Sequence, residues 1–329
     1  MNNAATSTTI TSGLAGANGN GLDGAAVPST LAAIAKAITG AYLSSTGNAF
    51  STRTASQIVQ EFFQPGERGQ ASGPLYGVQF SQLPCSDLNV WLSQSASIGP
   101  KRSPLGLSAD PGGFPIYQEG RVIGGIGIIS STGAGTNGIY SLDRDILTNE
   151  TDLDEEIAFA ALSDTIRAPE QIRANRITAN GQTFQFSNTT PAVAGVAPLA
   201  GNGNFVLVSG YNAAAAPVAG TSYGTSQSGY VATTNPAFNG LNTFTLITNP
   251  ADNTSVRFPP TAGANMTQAE VQNILAEGMK TANRARAQIR IPLGAAAQVT
   301  VSVVDLNGDV LGLIRSSDAP IFGTDVSVQ

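Results

Sequence analysis

Apolar residues recur at three- and four-residue intervals from Ser29 onward, and this spacing predicts an amphipathic helix. Its apolar face consists of Leu31, Ile34, Ala35, Ile38 and Tyr42. A second, short helix is predicted over residues 52–63, where Pro65 and Gly66 end it. The stretch that follows, residues 66–111, is rich in Gly, Pro and Ser and predicts mainly loop.

Polar residues that favour the N-terminus of a helix predict two further helices. An acidic cluster opens residues 152–162, and acidic groups are favoured by the helix dipole in the first turn of a helix. Thr267 and Glu270 have the spacing of a capping box, in which each side chain bonds to the backbone amide of the other residue. The helix that begins there is predicted to continue to about residue 290. Its predicted buried face consists of Val271, Ile274, Leu275 and Gly278.

Runs rich in β-branched residues, joined by short polar turns, predict β-hairpins. The three predicted hairpins cover residues 114–130, 177–186 and 299–314. In the second strand of the first hairpin, Gly124, Gly125 and Gly127 indicate that another part of the protein approaches the strand closely. These glycines lie within a strand and not at a strand-to-helix turn, which argues against a dinucleotide fingerprint.

Composition divides the chain into four segments. Residues 1–28 contain too little apolar surface to offset the entropy of ordering, which predicts a disordered leader. Residues 29–167 and 263–329 contain the predicted helices and two of the hairpins. Between them, residues 168–262 are rich in Asn, Gly, Thr and Ala and are interpreted as a β-rich insertion. The mixture of helices and hairpins predicts an α+β fold.

The residue types that are missing exclude several functions. The chain of 329 residues has no histidine and one cysteine, Cys85, so it lacks the commonest general base and cannot form an intrachain disulfide or a cysteine-rich metal site. A catalytic triad that depends on histidine is impossible, and an enzyme is therefore the least favoured class. The formal net charge of -6 includes no basic run, which argues against nucleic acid as a partner.

The sequence pattern predicts neither a membrane-spanning segment nor a secretory signal. The longest apolar-plus-glycine run, residues 122–129, is far below the roughly 18 residues that span a bilayer, so no membrane span is expected. The N-terminal residues lack the basic start and apolar stretch of a secretory signal. The neutral, Asn/Thr/Gly-rich composition nevertheless suits a periplasmic or extracellular location.

The segments with the clearest patterns resemble a known family. The motifs that carry the resemblance are Lys36-Ala37, Pro111-Gly112-Gly113-Phe114-Pro115, the glycine-rich residues 122–128, the acidic-capped residues 154–162, the run VTVSVVDLNGDVLGLIR at residues 299–315, and the segments 317–320 and 324–327. Together they resemble the GlcG/HbpS family of haem-binding-like proteins, over roughly residues 32–162 and 266–329. The resemblance implies a profilin-like antiparallel sheet flanked by helices and assembled from the two end segments.

The motifs occur in an unusual order. The family's second half lies at the start of this chain, and its first half lies at the end. A circularly permuted domain, halves exchanged between neighbouring subunits, or a segment of a longer protein with tandem family domains would each explain the order. We favour the last two together, and they imply a homo-oligomer or a tandem-domain partner.

The resemblance implies a ligand pocket where the Pro-Gly-Gly hairpin faces the Val-Val-Asp hairpin. The candidates for contacting a bound anion are Lys36, Gly112, Gly113, Asp305 and Arg315. Glycines leave backbone amides accessible, and the guanidinium fork of an arginine fits a carboxylate. The alternative interpretation is structural: Asp305 forms a turn, and Arg315 extends from the end of a strand.

The resemblance also implies haem as a cofactor. Without histidine, the remaining options for the axial ligand are Tyr42, Tyr76, Tyr117, Cys85, a methionine, or no protein ligand at all, and Tyr117 joins the candidate site. The leading hypothesis is a sensor or carrier that binds haem, a tetrapyrrole or a small acid. The alternative is a non-catalytic structural or interaction protein in which residues 168–262 provide the contacts.

Overall fold

A computed structural model describes residues 7–10, 24–63, 69, 71–74, 76, 103–130, 139–140, 150–179, 181–189, 205–208, 210–211 and 217–320. The chain divides into two compact units: unit 1 comprises Met1–Ser93, Arg102–Asn204 and Asp325–Gln329, and unit 2 comprises Gln94–Lys101 and Phe205–Thr324. Both units combine helices with antiparallel strands, so the fold is α+β as predicted. Cys85 lies outside the described residues.

Among its described residues, unit 1 has three α-helices and several short strand pairs. The helices are α1 (Ser29–Tyr42), α2 (Thr52–Val59) and α3 (Leu153–Ala161), and the strands are β1 (Ser7–Ile10), β2 (Ala26–Pro28), β3 (Gly113–Gln118), β4 (Arg121–Gly127), β5 (Ile139–Tyr140), β6 (Thr178–Ala179) and β7 (Gln182–Thr183). Strand β1 lies between β2, which is antiparallel to it, and β5, which is parallel. Strands β3 and β4, and strands β6 and β7, form the first and second predicted hairpins.

Helix α1 lies directly against the β3–β4 hairpin because glycines remove side chains from the contact. A Cβ atom at Gly125 would lie 1.9 Å from the backbone oxygen of Ala37, and one at Gly127 would lie 2.1 Å from that of Ala33. Gly124 has nothing within 4 Å of the corresponding position. The predicted close approach to this strand is therefore confirmed at Gly125 and Gly127, where α1 lies against the strand, and is wrong at Gly124.

Unit 2 is a helix packed on a four-stranded antiparallel sheet. The strands are β8 (Tyr230–Ala232), β9 (Thr243–Leu246), β10 (Thr300–Val304) and β11 (Val310–Ser316), in the order β10-β11-β9-β8, and the helix is α4 (Gln268–Arg284). The predicted capping box at Thr267 and Glu270 is present. The apolar core consists of Val271, Leu275, Ala276 and Met279 from α4 together with Phe238, Val303, Leu311 and Ile314.

The structure differs from the sequence-based predictions in three details. Strands β1 and β2 lie within the predicted disordered leader, where the β-branched run at Ser7–Ile10 pairs with Ala26–Pro28. Helix α4 ends at Arg284, because the residues after it pair with the segment around Ala296. Residue Ile274, predicted to be buried, is 46% exposed.

The segment interpreted as an insertion, residues 168–262, is divided between the two units. Residues 168–204 belong to unit 1, whereas residues 205–262 belong to unit 2. Strands β8 and β9 come from the second part and extend the β10–β11 hairpin, because β9 pairs with β11 through Arg315 and Ser316. Within the described residues, no helix has both the length and the hydropathy needed to cross a membrane.

Substitution of the strand glycines tests the packing of α1. We expect Gly125→Ala to lower the free energy of unfolding by about 2–3 kcal/mol, because the added methyl group overpacks the contact with Ala37. Gly124→Ala adds the same methyl group where nothing is near and should change stability by less than about 0.5 kcal/mol. Urea unfolding followed by circular dichroism measures both. Equal effects of the two substitutions would contradict this packing.

Candidate functional site

The side chain of Lys36 is enclosed by protein oxygens. Its Nζ donates hydrogen bonds to the backbone oxygens of Pro111 and Ile128, each at 2.7 Å, and to Asp154 Oδ2 at 2.8 Å. It also forms an ion pair with Asp110, and the side chain is 0% exposed. The ammonium group therefore joins α1, the segment before β3, the end of β4 and α3.

The carboxylates around Lys36 raise its pKa by more than burial lowers it. Burial alone lowers the pKa of the ammonium group, but Asp110 and Asp154 together hold this pKa above the ordinary value of 10.5. Gly112 and Gly113 pack against the same network, since a Cβ at Gly112 would lie 2.6 Å from Asp154 Cβ and one at Gly113 would lie 2.6 Å from Lys36 O. The structure thus brings these three candidate residues together, with the ammonium group of Lys36 fully engaged inside the protein.

A second buried ion pair lies nearby in unit 1. Arg53 Nε donates to Glu155 Oε1 at 2.7 Å, and Glu155 Oε2 accepts a hydrogen bond from the Asn188 amide. Burial raises the pKa of the Glu155 carboxyl, and the charge of Arg53 opposes this effect. Sequence analysis did not anticipate this pair, because its partners lie on different helices, 102 residues apart in the chain.

The acidic cluster at the start of α3 is accounted for by these contacts. Asp152 caps the helix, as its carboxylate accepts a hydrogen bond from the Glu155 amide at 3.1 Å. Asp154 pairs with Lys36, and Glu155 pairs with Arg53. No group of three or more potential ligand side chains suitable for a metal ion occurs in the described part of the chain.

Tyr117 is anchored at its hydroxyl. Its oxygen donates to the backbone oxygen of Ser45 at 2.7 Å, with the oxygen of Asn48 at 3.0 Å, and the residue is 1% exposed. Of the other proposed haem ligands, Tyr76 is 53% exposed and Met279 is fully buried in the core of unit 2. The hydroxyl of Tyr117 is therefore engaged inside the protein, and haem binding stays a prediction.

Asp305 and Arg315 belong to unit 2 and lie at opposite ends of the β10–β11 hairpin. The Asp305 carboxylate accepts hydrogen bonds from the amides of Asn307 at 2.8 Å and Asp309 at 3.0 Å. This carboxylate therefore stabilises the turn, as the structural interpretation expects. The Pro-Gly-Gly hairpin belongs to unit 1, whereas this hairpin belongs to unit 2. That the two hairpins face each other across one pocket therefore stays a prediction.

Arg315 is buried, and no side chain of opposite charge pairs with it in the part of the chain that the structure describes. It is 2% exposed, and its guanidinium makes a single hydrogen bond, from Nη2 to the backbone oxygen of Ala319. Nε and Nη1 are buried and have no hydrogen-bond partner. No carboxylate among the described residues forms an ion pair with it. Thr300, directly opposite Arg315 in the strand pair, also has a buried hydroxyl without a partner.

The Arg315 guanidinium lies against one ring of an aromatic cluster. Its central carbon lies 4.4 Å from the ring centre of Tyr230. Tyr223 packs against Tyr230 at 5.3 Å and against Phe244 at 5.6 Å between ring centres. Tyr223 is 48% exposed, so it lies between this cluster and solvent. We call Arg315, Thr300, Tyr223, Tyr230 and Phe244 the Arg315 site.

Comparisons with protein-family models, with curated proteins and with solved structures found no match for this chain. The Arg315 site and the Lys36 network are therefore interpreted from their geometry.

Removal of the Lys36 ammonium group tests its structural role. We expect Lys36→Met to lower the free energy of unfolding by about 3–5 kcal/mol, because it leaves Asp110 and Asp154 buried without a cation. Lys280→Met removes the same charge from an exposed pair with Glu277 and should have no measurable effect. Chemical unfolding at neutral pH measures both variants. A small effect of Lys36→Met would show that the Lys36 network contributes little to the free energy of unfolding.

The same network predicts a pH dependence. Because the pKa of Lys36 is raised in the folded state, its contribution is complete below the ordinary value of 10.5 and is lost as the pH rises through the folded-state pKa. The wild-type chain should therefore lose stability in that alkaline range, and Lys36→Met should lose less. Thermal unfolding of both proteins between pH 8 and pH 12 compares the two slopes. Parallel curves would contradict the assignment.

Proposed function

We propose that this protein is a non-catalytic binding protein of the GlcG/HbpS type and that Arg315 receives the carboxylate of its ligand. The ligand is a small organic acid or the carboxylate arm of a larger planar molecule such as a tetrapyrrole. The observation that carries the proposal is the buried guanidinium with two unpartnered nitrogens. The family assignment is part of the proposal and rests on the sequence motifs.

An energetic argument supports an anionic ligand. A buried cation without a counter-charge costs several kcal/mol, and buried charges in proteins are normally paired. The ring of Tyr230 and the backbone oxygen of Ala319 offer Arg315 partial compensation but no negative charge. A carboxylate would supply this charge and accept hydrogen bonds from the unpartnered nitrogens. Thr300 could donate to the same anion, because side chains directly opposite in a strand pair project from the same face.

The rings favour a ligand with a flat apolar part. Tyr230, Tyr223 and Phe244 form a contiguous aromatic cluster beside the guanidinium. Aromatic side chains stack with planar molecules, so a tetrapyrrole propionate or an aromatic acid matches this combination better than a purely aliphatic ion. Because Arg315 is 2% exposed, the ligand has to enter through local opening beside Tyr223. We therefore expect slow association.

A porphyrin and its ester test the carboxylate requirement. We expect protoporphyrin IX to bind saturably, as measured by its fluorescence, and its dimethyl ester to bind at least about 10-fold more weakly because it lacks the charges that Arg315 receives. Benzoate, measured by calorimetry, tests the smaller acid class. Binding of the ester as tightly as the acid would overturn the proposal.

Substitution of the arginine tests the site itself. We expect Arg315→Met to weaken acid binding at least about 10-fold and to leave the folded chain as stable or more stable, since replacing an uncompensated buried charge with an apolar side chain relieves desolvation. Arg257→Met is the matched control, because Arg257 is an exposed arginine that also rests on an aromatic ring, 5.2 Å from the centre of Phe258. It should bind like wild type. Wild-type affinity of Arg315→Met would exclude Arg315 as the receptor.

One observation favours the alternative, an interaction protein. Phe205, Val206 and Leu207 lie in the segment predicted to provide contacts and are 59%, 53% and 63% exposed. Large apolar side chains exposed in a row are typical of a protein-binding surface. Sedimentation velocity of the wild-type chain and of a Phe205→Ser, Leu207→Ser variant tests self-association. Association that these substitutions abolish would favour the scaffold function over ligand binding alone.

A further inference from the structure

A cleft of about 390 Å³ lies in unit 1, away from the residues of the Lys36 network. One wall is the tip of the β3–β4 hairpin, and the other is the segment that follows α3. The lining residues that carry charge are Glu119, Asp164, Arg167, Glu170 and Arg173. A concave site with convergent charged groups is the usual form of a small-molecule site.

Two arginines on one wall are held rigidly but keep hydrogen-bonding capacity. The guanidinium of Arg173 lies 5.6 Å from the ring centre of Phe186 and 5.9 Å from that of Phe159, and its one hydrogen bond runs from Nε to the Ala168 oxygen. Its terminal nitrogens are left for a ligand. Arg167 rests 4.7 Å from the ring centre of Phe159, and its Nε is buried without a partner. The rings fix both cations in place.

The acidic groups on the same wall are already engaged. Asp164 pairs with Arg167 at 2.7 Å, and Glu170 pairs with Arg176, which does not line the cleft. Among the described residues, Arg173 has no ion pair of its own. Burial lowers the pKa of Arg173, and the neighbouring Arg167 adds to this effect while Glu170 opposes it. An anion placed between the two arginines would offset the repulsion between their positive charges.

Glu119 carries the opposite charge on the facing wall and occupies a strained position. The turn of the β3–β4 hairpin has positive φ at both central residues, 49° at Glu119 and 76° at Gly120. Asn, Asp or Gly normally occupies the first of these positions, because the left-handed conformation disfavours longer side chains. Glu119 is exposed, has no ion pair among the described residues, and is one of the residues that line the cleft. A strained residue that lines a cleft points to function.

We propose that this cleft binds a small zwitterion, a molecule that carries both an ammonium group and a carboxylate, such as an amino acid or a short peptide. Arg173, with Arg167 Nε, receives the carboxylate, and Glu119 receives the ammonium group. The site lies in unit 1 and does not rest on the function proposed for Arg315. The two sites take different ligands and are removed by different substitutions.

Calorimetry with a panel of zwitterions tests the proposal. Glycine, 4-aminobutanoate and the dipeptide Ala-Ala place the two charges at increasing separations, and acetate and ethylammonium each represent half of a zwitterion. We expect at least one zwitterion to bind at least about 10-fold more tightly than either half, because both ends form charge-assisted hydrogen bonds. Equal binding of a half-ligand, or no binding of any zwitterion, overturns the proposal.

Substitutions locate the site and separate binding from folding. We expect Arg173→Met and Glu119→Asn each to weaken zwitterion binding at least about 10-fold. Glu119→Asn should also raise the thermal unfolding midpoint by about 2 °C, because asparagine suits the left-handed turn position. Arg121→Met removes a charge from an exposed position outside the lining and should leave binding unchanged.

Two outcomes would overturn the assignment to this cleft. One is wild-type binding by Glu119→Asn or Arg173→Met, and the other is a loss of zwitterion binding in Arg315→Met. If Arg315→Met loses acid binding while zwitterion binding is retained, both proposals are supported separately. If the wild-type chain binds a zwitterion but neither protoporphyrin IX nor benzoate, only the function proposed for Arg315 is contradicted.

Discussion

Compensation of buried positive charge is the constraint on which the structure depends. In unit 1, Lys36 is surrounded by two carboxylates and two backbone oxygens, and Arg53 pairs with Glu155. These buried contacts connect α1, α2 and α3 with the β3–β4 hairpin. In unit 2, Arg315 is equally buried, yet it meets no carboxylate in the described part of the chain. The same physical rule is the basis of the proposal that the third cation takes its counter-charge from a bound ligand.

Local elements were largely predictable, because their causes lie within a few residues of sequence. The capping box at Thr267 places the start of α4, and the Asn-Gly turn places the β6–β7 hairpin. The strand glycines predicted a close approach, which α1 makes. The end of α4 was not predictable, because it is set by pairing of Arg286 with Ala296, a contact between segments on either side of a turn.

Long-range contacts were the part that sequence patterns could not provide. Lys36 and Asp154 are 118 residues apart, and no periodicity connects them. The resemblance grouped Lys36, Gly112 and Gly113 as candidates for a ligand pocket, and in the structure these three residues lie together in a closed structural network. Arg315 was also named from the resemblance, but the sequence could not show that its guanidinium is buried without an ion pair among the described residues. The cleft beside Glu119 had no sequence signal other than a glutamate where a hairpin turn favours asparagine or glycine.

The most direct test of the account is a crystal structure of the chain grown in bromide, with anomalous scattering used to locate the ions. Bromide is a small anion that needs no particular ligand shape, so it reports whether the guanidinium accepts a counter-charge. The account predicts a bromide ion within hydrogen-bonding reach of Arg315 Nε or Nη1 and near Thr300. A carboxylate of the chain itself paired with Arg315, with no anion beside it, would contradict the account.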